Sequence, residues 1–209
     1  MSDASSVFRP DALTALSLGQ AVSDEKFDRL FSKATRILSA RHWTPMTVAL
    51  WAARILGAEA DTRILDVGCG PGKFCFIGAA TTPATFVGIE QRQHLYDEAE
   101  GIRVNHELRN VRFIHGNMVD IDWSDFQAFY LFNPFLENVV GLARIDERVP
   151  LSLEHFNTYV ECVEEKLSQL RTGTKVVTYH GYGGVFPKDY VLREKKAIGT
   201  SYLDLWIKE

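Results

Sequence analysis

The feature of the sequence that most constrains the fold is a glycine-rich turn after a short apolar run. Residues 64–67 are typical of a buried strand, and Gly68, Gly70 and Gly72 follow at alternate positions. Glycine adopts positive φ at little cost and lets a ligand approach its main chain. Residues 74–80 predict a helix that begins at about Gly72. A strand, a glycine turn and a helix bring free N–H groups and a positive helix end to one point, which predicts a nucleotide-type pocket.

The spacing of the glycines distinguishes between nucleotide classes. The dinucleotide pattern G-x-G-x-x-G requires a third glycine where the chain has Lys73. The phosphate loop G-x-x-x-x-G-K-[ST] does not fit either, because Phe74 follows the lysine and Val67 occupies the first position. The pattern D-x-G-x-G-x-G from Asp66 to Gly72 instead resembles the first motif of class I S-adenosylmethionine-dependent methyltransferases. The resemblance implies that the turn cradles the methionine part of S-adenosyl-L-methionine, while Asp66 fixes the turn or, through water, the cofactor's amine.

A second predicted strand ends in an acid suited to a ribose. Residues 85–89 are apolar and lead into Glu90, which lies 24 positions after Asp66. In such folds an acid about 20 residues after the turn contacts the ribose hydroxyls, and a carboxylate offers two acceptor oxygens to a diol. A solvated acid at a strand end is the competing interpretation. We include Cys69 and Gln91 in the predicted cofactor wall, with Cys69 as a small filler rather than a nucleophile.

A third predicted strand, residues 111–115, ends near Asn117 and Met118. The family resemblance places an acid there as acceptor for the adenine amino group. The amide oxygen of Asn117 can take that role, and Met118 offers a soft apolar surface to the ring. Asp120 and Asp122 are nearby alternatives for the adenine contact.

An aromatic-Thr-Pro sequence precedes the first strand. Thr44 suits the N-cap and Pro45 the first position of a helix that Gly57 ends. The same residues resemble a cofactor-side motif of amino-methylating nucleic-acid methyltransferases, in which the threonine region approaches the methionine part of the cofactor. The two interpretations are compatible, and Thr44 and Pro45 are therefore candidate cofactor contacts.

The fourth predicted strand leads into Asn133-Pro134-Phe135. This resembles the [DN]-P-P-[FY] motif of methyltransferases that modify amino or amide nitrogens. The resemblance implies that Asn133 and the Pro134 carbonyl hold the N–H groups of the target while Phe135 stacks on it. One proline is missing, which argues against a flipped base or a glutamine and leaves a lysine amine open; a simple Asn-Pro turn is the alternative. His180, after predicted strand 175–179, is a candidate proton acceptor or a structural histidine.

The N-terminal part is predicted to form an extension, residues 1–41, ahead of a cofactor-binding domain at 42–209. Residues 1–22 are rich in Ser, Asp and Ala and are expected to be loose, with Phe8 as an anchor. A helix capped by Ser23 follows, either as an accessory helix or as a lid over the substrate mouth. Its predicted apolar face consists of Phe27, Leu30, Phe31, Ala34, Ile37 and Leu38.

The order of elements predicts a three-layer α/β/α sandwich of the class I methyltransferase type, with N-terminal helices. Strands and helices alternate, and residues 190–198 and 201–207 flank Gly199-Thr200 as a hairpin signal. The expected sheet has seven mostly parallel strands and ends in this antiparallel hairpin. A dinucleotide fold would add a sixth parallel strand instead.

Composition and patterning argue against several function classes. A net charge of −4 gives no general attraction to nucleic acid. No apolar run approaches the length of a membrane span, and no signal-peptide pattern is seen. The 3 cysteines lack metal-ligand spacing, which predicts reduced thiols, a cytoplasmic protein and no metal. Oligomeric state is not indicated.

The sequence therefore predicts an S-adenosyl-L-methionine-dependent methyltransferase acting on a nitrogen of a protein or small molecule. Two alternatives remain: a nucleic-acid amino methyltransferase, and a cofactor-binding module without turnover. A nucleotide-dependent oxidoreductase is disfavoured by Lys73 and by the terminal hairpin.

Overall fold

A twisted sheet flanked by helices forms the centre of the computed structural model, which describes residues 10–141, 144–199 and 201–209. The strands are β1 (Arg63–Val67), β2 (Thr85–Glu90), β3 (Val111–His115), β4 (Ala128–Phe132), β5 (Lys175–Tyr179), β6 (Tyr190–Ile198) and β7 (Ser201–Lys208). The helices are α1 (Ala12–Ser17), α2 (Asp24–Asp28), α3 (Lys33–His42), α4 (Met46–Leu56), α5 (Lys73–Thr81), α6 (Gln93–Asn105) and α7 (Leu153–Gln169). Short 3-10 helices span Met118–Asp120 and Leu136–Asn138.

The sheet has the order β3-β2-β1-β4-β5-β7-β6. The first five strands pair in parallel, whereas β7 lies antiparallel between β5 and β6. The predicted fold class and the terminal hairpin are thus confirmed. The strand order reverses between β1 and β4, and ligands of open α/β sheets bind beyond the carboxyl ends of the strands at such a switch point.

Both faces of the sheet are covered, as expected for parallel strands. Alternate side chains of β1 enter different cores: Ile64 packs with α1, α2, α4 and α5, and Leu65 with the opposite core, which α7 covers. Both side chains are 0% exposed. This double burial explains why the central strands are apolar runs rather than alternating ones.

The N-terminal region differs from the prediction. Residues 12–17 form α1, whose Leu13 and Leu16 are buried in the same core as α4 and α5, so this part is not loose. Phe8 lies outside the described residues. The division of the chain at residue 42 stays a prediction, although α1 and α2 share the core of the sheet.

The predicted helix after Ser23 is interrupted, and the apolar face assigned to its second half is wrong. Ser23 caps α2 as predicted, but a separate Ser32 caps α3. In α3 the side chain of Ile37 is 75% exposed, while Thr35 and Ser39 are buried. The buried face can be polar because other helices supply hydrogen-bond partners. Glu98 of α6 accepts from the Thr35 hydroxyl, and Asp28 of α2 accepts from the Ser39 hydroxyl.

Lys73 anchors the N-terminal helices to the glycine turn. Its side chain is 2% exposed, and its Nζ lies 2.6 Å from Asp24 Oδ1 and 2.7 Å from Asp28 Oδ1. Asp24 also accepts from the N–H of Met46 at 2.9 Å. The lysine that breaks the dinucleotide pattern is therefore directed at α2 and the start of α4.

Candidate active site

A cleft opens at the carboxyl ends of the parallel strands, and it encloses about 930 Å³ out to its mouth. Its mixture of apolar and polar walls is typical of small-molecule sites. The predicted site residues that line it are Gly68, Glu90, Gln91, Asn117, Met118, Asn133, Pro134 and Phe135. The predicted residues that are not part of its lining are Thr44, Pro45, Asp66, Cys69, Gly70, Gly72 and His180.

The glycine turn adopts the backbone that the sequence predicts. Gly68, Gly70 and Gly72 have φ values of 72°, 56° and 84°. The N–H groups of Gly68 and Cys69 both donate to the Ile89 carbonyl at 3.0 Å, which ties the turn to β2. A Cβ at Gly68 would meet Pro134 at 3.4 Å, so the turn and the Asn133-Pro134-Phe135 element face each other closely.

Glu90 lies in the cleft and holds the turn. Its Oε2 accepts from the N–H of Gly70 at 3.0 Å, and its Oε1 accepts from the N–H of Arg92 at 2.8 Å. Burial raises the pKa of the Glu90 carboxyl, and these two N–H donors oppose the rise. Each oxygen keeps a second lone pair, so the carboxylate can still accept from a ribose diol.

Asp66 lies in β1 beneath the turn and is 4% exposed. Its Oδ2 accepts from the Cys75 thiol at 3.5 Å. Burial raises the pKa of Asp66 to about 7, the Cys75 thiol lowers it, and nearby Glu90 raises it further. Glu90, rather than Asp66, supplies the carboxylate bonded to the turn.

The two thiols near the turn are structural in character. Cys69 is buried, and a Cβ at Gly88 would lie 2.6 Å from its Sγ, so the glycine makes room for it. Burial raises the pKa of both Cys69 and Cys75 well above the ordinary value. A protonated thiol is a poor nucleophile, which agrees with the prediction of a filler.

The segment before α4 contributes to the cleft, but through residues other than the predicted ones. Thr44 is buried with its hydroxyl 3.1 Å from that of Tyr130, and Pro45 is the N-cap residue, one position later than predicted. Trp43 lines the cleft instead, with its Nε1 donating to the Thr35 carbonyl at 2.9 Å. A Cβ at Gly70 would lie 2.6 Å from the Trp43 ring, so only glycine fits beneath it.

Asn117 and Met118 lie in the cleft at the end of β3. The Asn117 Nδ2 donates to the Tyr159 hydroxyl at 3.0 Å, and its Oδ1 accepts from the N–H of Val119 at 3.3 Å. Tyr159 of α7 also lines the cleft, and its ring lies 5.3 Å from that of Phe135. Tyr159 thus contacts both the segment predicted to bind adenine, through Asn117, and the segment predicted to bind the acceptor, through Phe135.

Asn133 has an uncommon backbone conformation. Its φ is 43°, a left-handed conformation that is uncommon outside glycine and tolerated best by Asn and Asp. Its backbone N–H donates to the Gly181 carbonyl at 3.0 Å. Within the described chain its side-chain amide makes no hydrogen bond, so both its donors and its acceptor are free for a ligand. Phe135, 5% exposed, forms the adjacent wall.

His180 follows β5 outside the cleft lining. Its φ is 62°, its Nδ1 lies 2.9 Å from the Ser201 hydroxyl, and its ring stacks on Phe132 at 5.8 Å. Burial lowers the pKa of His180, which favours the neutral ring. Its role as a proton acceptor remains a prediction, and these contacts fit the structural alternative.

Sequence reasoning did not predict the buried ion pair of the cleft, which joins Arg92 to Glu137. The Arg92 guanidinium makes two parallel bonds to Glu137, Nη1–Oε1 at 2.9 Å and Nη2–Oε2 at 2.7 Å. Both residues line the cleft, and their side chains are 2% and 9% exposed. No pattern marks them in the sequence, because the two residues are 45 positions apart.

Comparison with known proteins places this fold and cleft in one class. A family model described as a methyltransferase domain matches residues 58–181, more than half of the chain. The chain belongs to this family, the class I S-adenosyl-L-methionine-dependent methyltransferases, and the cofactor of this class is S-adenosyl-L-methionine.

Solved structures share the fold at low sequence identity. An RNA methyltransferase from Salinibacter ruber, in complex with S-adenosyl-L-homocysteine, is 18% identical with a TM-score of 0.58, covering 79% of this chain and 92% of that one. TrmN from Thermus thermophilus is 14% identical with a TM-score of 0.60, covering 82% of this chain and 51% of that one.

One curated relative aligns with a short part of the chain. A 23S rRNA (uracil(1939)-C(5))-methyltransferase, RlmD, from Salmonella typhi is 36% identical over 63 residues. The match covers 30% of this chain and 14% of that relative. In the part of the chain that the structure describes, no helix is long and apolar enough to cross a membrane.

Proposed function

We propose that this protein transfers a methyl group from S-adenosyl-L-methionine to a nitrogen atom of an acceptor that enters the cleft beside Asn133. The observation that carries the proposal is the unpaired Asn133 amide, held by a left-handed backbone opposite the glycine turn. An amide that offers both a carbonyl oxygen and N–H donors suits an amine or an amide acceptor.

The cleft residues fit the cofactor that the family implies. Gly68 lies at the floor of the cleft. A Cβ at this position would lie 3.4 Å from Pro134, so any larger residue would narrow the space between the turn and Pro134. The Glu90 carboxylate suits the ribose diol, and Asn117 with Met118 suits the adenine edge. Asp66, Gly70 and Gly72 support this wall from below rather than lining it.

When bound, the cofactor supplies a methyl group activated by a sulfonium. The contribution of the chain is positional: Asn133 and the Pro134 carbonyl orient the acceptor N–H groups, and Phe135 and Tyr159 restrict its approach. Ordering two reactants in this way can be worth an effective concentration of roughly 10⁵ M or more. A neutral nitrogen has its own lone pair, so the chain needs no covalent nucleophile.

The cysteines argue against a carbon acceptor of the pyrimidine type, which requires activation by an attacking nucleophile. Cys69 and Cys75 are buried with raised pKa values, and Cys162 lies on α7. All three belong to the described residues, and none of them lines the cleft.

For the acceptor class we favour a protein or a small molecule. The net charge of −4 and the single proline of the Asn133 element support this choice. A nucleic-acid acceptor is the second candidate, because the Salinibacter protein is described as an RNA methyltransferase and RlmD as a 23S rRNA methyltransferase.

The test is methylation of fractionated cell lysate with tritiated S-adenosyl-L-methionine. Label in the protein or metabolite fraction, recovered as an N-methyl product after hydrolysis, is the expected result. Asn133→Ala should abolish transfer while S-adenosyl-L-homocysteine binding stays within about threefold, a small change in binding free energy. Label in RNA would favour the second candidate, a C-methyl or S-methyl product would contradict the proposal, and binding without any label would indicate a module without turnover.

A further inference from the structure

Arg92 makes contacts with both walls of the cleft. Its backbone N–H donates to Glu90 Oε1 at 2.8 Å, on the cofactor wall. Its guanidinium makes the bidentate pair with Glu137, which lies in the 3-10 helix directly after Phe135, on the acceptor wall. One residue outside every recognised motif therefore joins the two halves of the proposed site.

A second carboxylate extends the same network. Arg92 Nε donates to Asp146 Oδ1 at 3.1 Å, and that oxygen also accepts from the N–H of Arg148 at 3.0 Å. His94 Nε2 lies 3.6 Å from the other Asp146 oxygen, and Arg148 Nε lies 3.9 Å from it. The segment near residue 146 is thereby fastened to the residues that follow β2.

The pairs with Glu137 and Asp146 offset the free-energy cost of burying the Arg92 cation. A buried charge left without its partner is strongly unfavourable, and bidentate arginine–carboxylate pairs are among the stronger polar contacts. If the pair with Glu137 is broken, the free energy of the guanidinium is lowered when it turns toward water. The cleft wall that begins at Phe135 would then lose its attachment to the cofactor side.

We propose that Arg92 is a positioning residue, which holds the Asn133–Glu137 element against the cofactor through its pair with Glu137. Because the pair joins the two walls, breaking it releases the Asn133–Glu137 element to move away from the cofactor. The inference rests on the proposed function, since it assigns the two walls to cofactor and acceptor. It predicts that breaking the pair acts mainly on cofactor dissociation.

The experiment measures S-adenosyl-L-homocysteine association and dissociation rates by surface plasmon resonance. Glu137→Gln keeps the size of the side chain and removes its charge, whereas Arg92→Lys keeps the charge and loses the planar fork. Both variants should raise the dissociation rate by about tenfold and change the association rate by less than about threefold. The double variant should match the larger single effect, because the two residues act as one unit.

Glu147→Gln is the matched control on the same segment, since its side chain is 90% exposed and lies 3.9 Å from Arg144. Its rate constants should equal those of the wild type. If Glu137→Gln lowers the Tm but leaves both rate constants unchanged, the pair is only structural and the inference is overturned. If the wild type does not bind S-adenosyl-L-homocysteine, the proposed function fails, and this outcome is distinct from equal rates in a binding wild type.

Discussion

Two buried cations, Lys73 directly after the glycine turn and Arg92 beside Glu90, have partners in different parts of the molecule. Each side chain is 2% exposed and each pairs with two carboxylates. Lys73 points away from the cleft, and its partners belong to α2. Arg92 lines the cleft, and its partners are Glu137, which also lines the cleft, and Asp146 in the segment that follows.

The comparison shows that burial and charge alone do not identify a functional residue. The lysine is a compact point charge that links α5 to α2, and the arginine is a planar fork that fixes the orientation of a wall. The partner segments decide the role. A variant at Lys73 should therefore change stability, and a variant at Arg92 should change ligand kinetics.

The largest effect is expected from Lys73→Met. Its removal leaves the carboxylate of Asp28, 11% exposed, without its cation. Loss of one partner from a buried pair should lower the free energy of unfolding by about 3–5 kcal/mol, measured by urea denaturation. Lys33→Met, at an exposed position of α3, is the control and should stay within about 0.5 kcal/mol of the wild type.

The same variant also separates the two cations. Below its Tm, Lys73→Met should keep the dissociation rate of S-adenosyl-L-homocysteine within about twofold of the wild-type rate. A change of that size corresponds to a much smaller free energy than one bidentate pair contributes. A large increase in that rate would show that the lysine also controls the cleft, and the distinction between the cations would be lost.

Gly70→Ala tests the turn itself and should have the next largest effect. Alanine at a φ of 56° is strained, and its Cβ would lie 2.6 Å from the Trp43 ring. A loss of about 2–4 kcal/mol in the free energy of unfolding is expected. Gly101→Ala in α6, where nothing lies within 4 Å, should stabilise by about 0.5–1 kcal/mol. Equal effects at the two glycines would contradict the assigned geometry.

Much of the cleft around the glycine turn could be predicted from the sequence, because the residues that form it are close together in the chain. The turn, the strand that ends in Glu90 and the Asn133-Pro134-Phe135 element are contiguous patterns. The other contributors depend on distant partners. Arg92 needs Glu137, and Trp43 needs the space above Gly70, so neither role shows in the spacing of residues.

The α3 helix illustrates the same limit for folding. Apolar periodicity places Ile37 inward, yet it is 75% exposed. The buried positions are Thr35 and Ser39, which are stabilised there by carboxylates from α6 and α2. A polar helix face can be buried only where other parts of the chain supply hydrogen-bond partners. The apolar periodicity of the helix itself does not reveal such partners.

A pH-dependent stability effect is expected at Asp66, whose side chain is buried. Its pKa is about 7 in the folded protein against 3.8 ordinarily, so the native state keeps a proton that the unfolded state has lost. The stabilisation from this proton is present below pH 3.8 and is lost as the pH rises to about 7. The slope is about 1.4 kcal/mol per pH unit.

Asp66→Asn removes this titration and keeps the shape of the side chain. The unfolding free energy of the variant relative to the wild type should increase between pH 5 and 7, on the order of 1 kcal/mol per pH unit, and level off above. Urea denaturation at a series of pH values provides the measurement. Parallel profiles for the two proteins would mean that Asp66 is ionised when folded.

The most direct test of the account is isothermal titration of S-adenosyl-L-methionine into the wild type, Glu90→Ala and, as a control, Glu100→Ala on α6. The wild type and the control should bind one cofactor with equal affinity, and Glu90→Ala should bind at least about tenfold more weakly, because the proposed ribose contact is lost. Undiminished affinity in Glu90→Ala, or no binding by the wild type, would contradict the account.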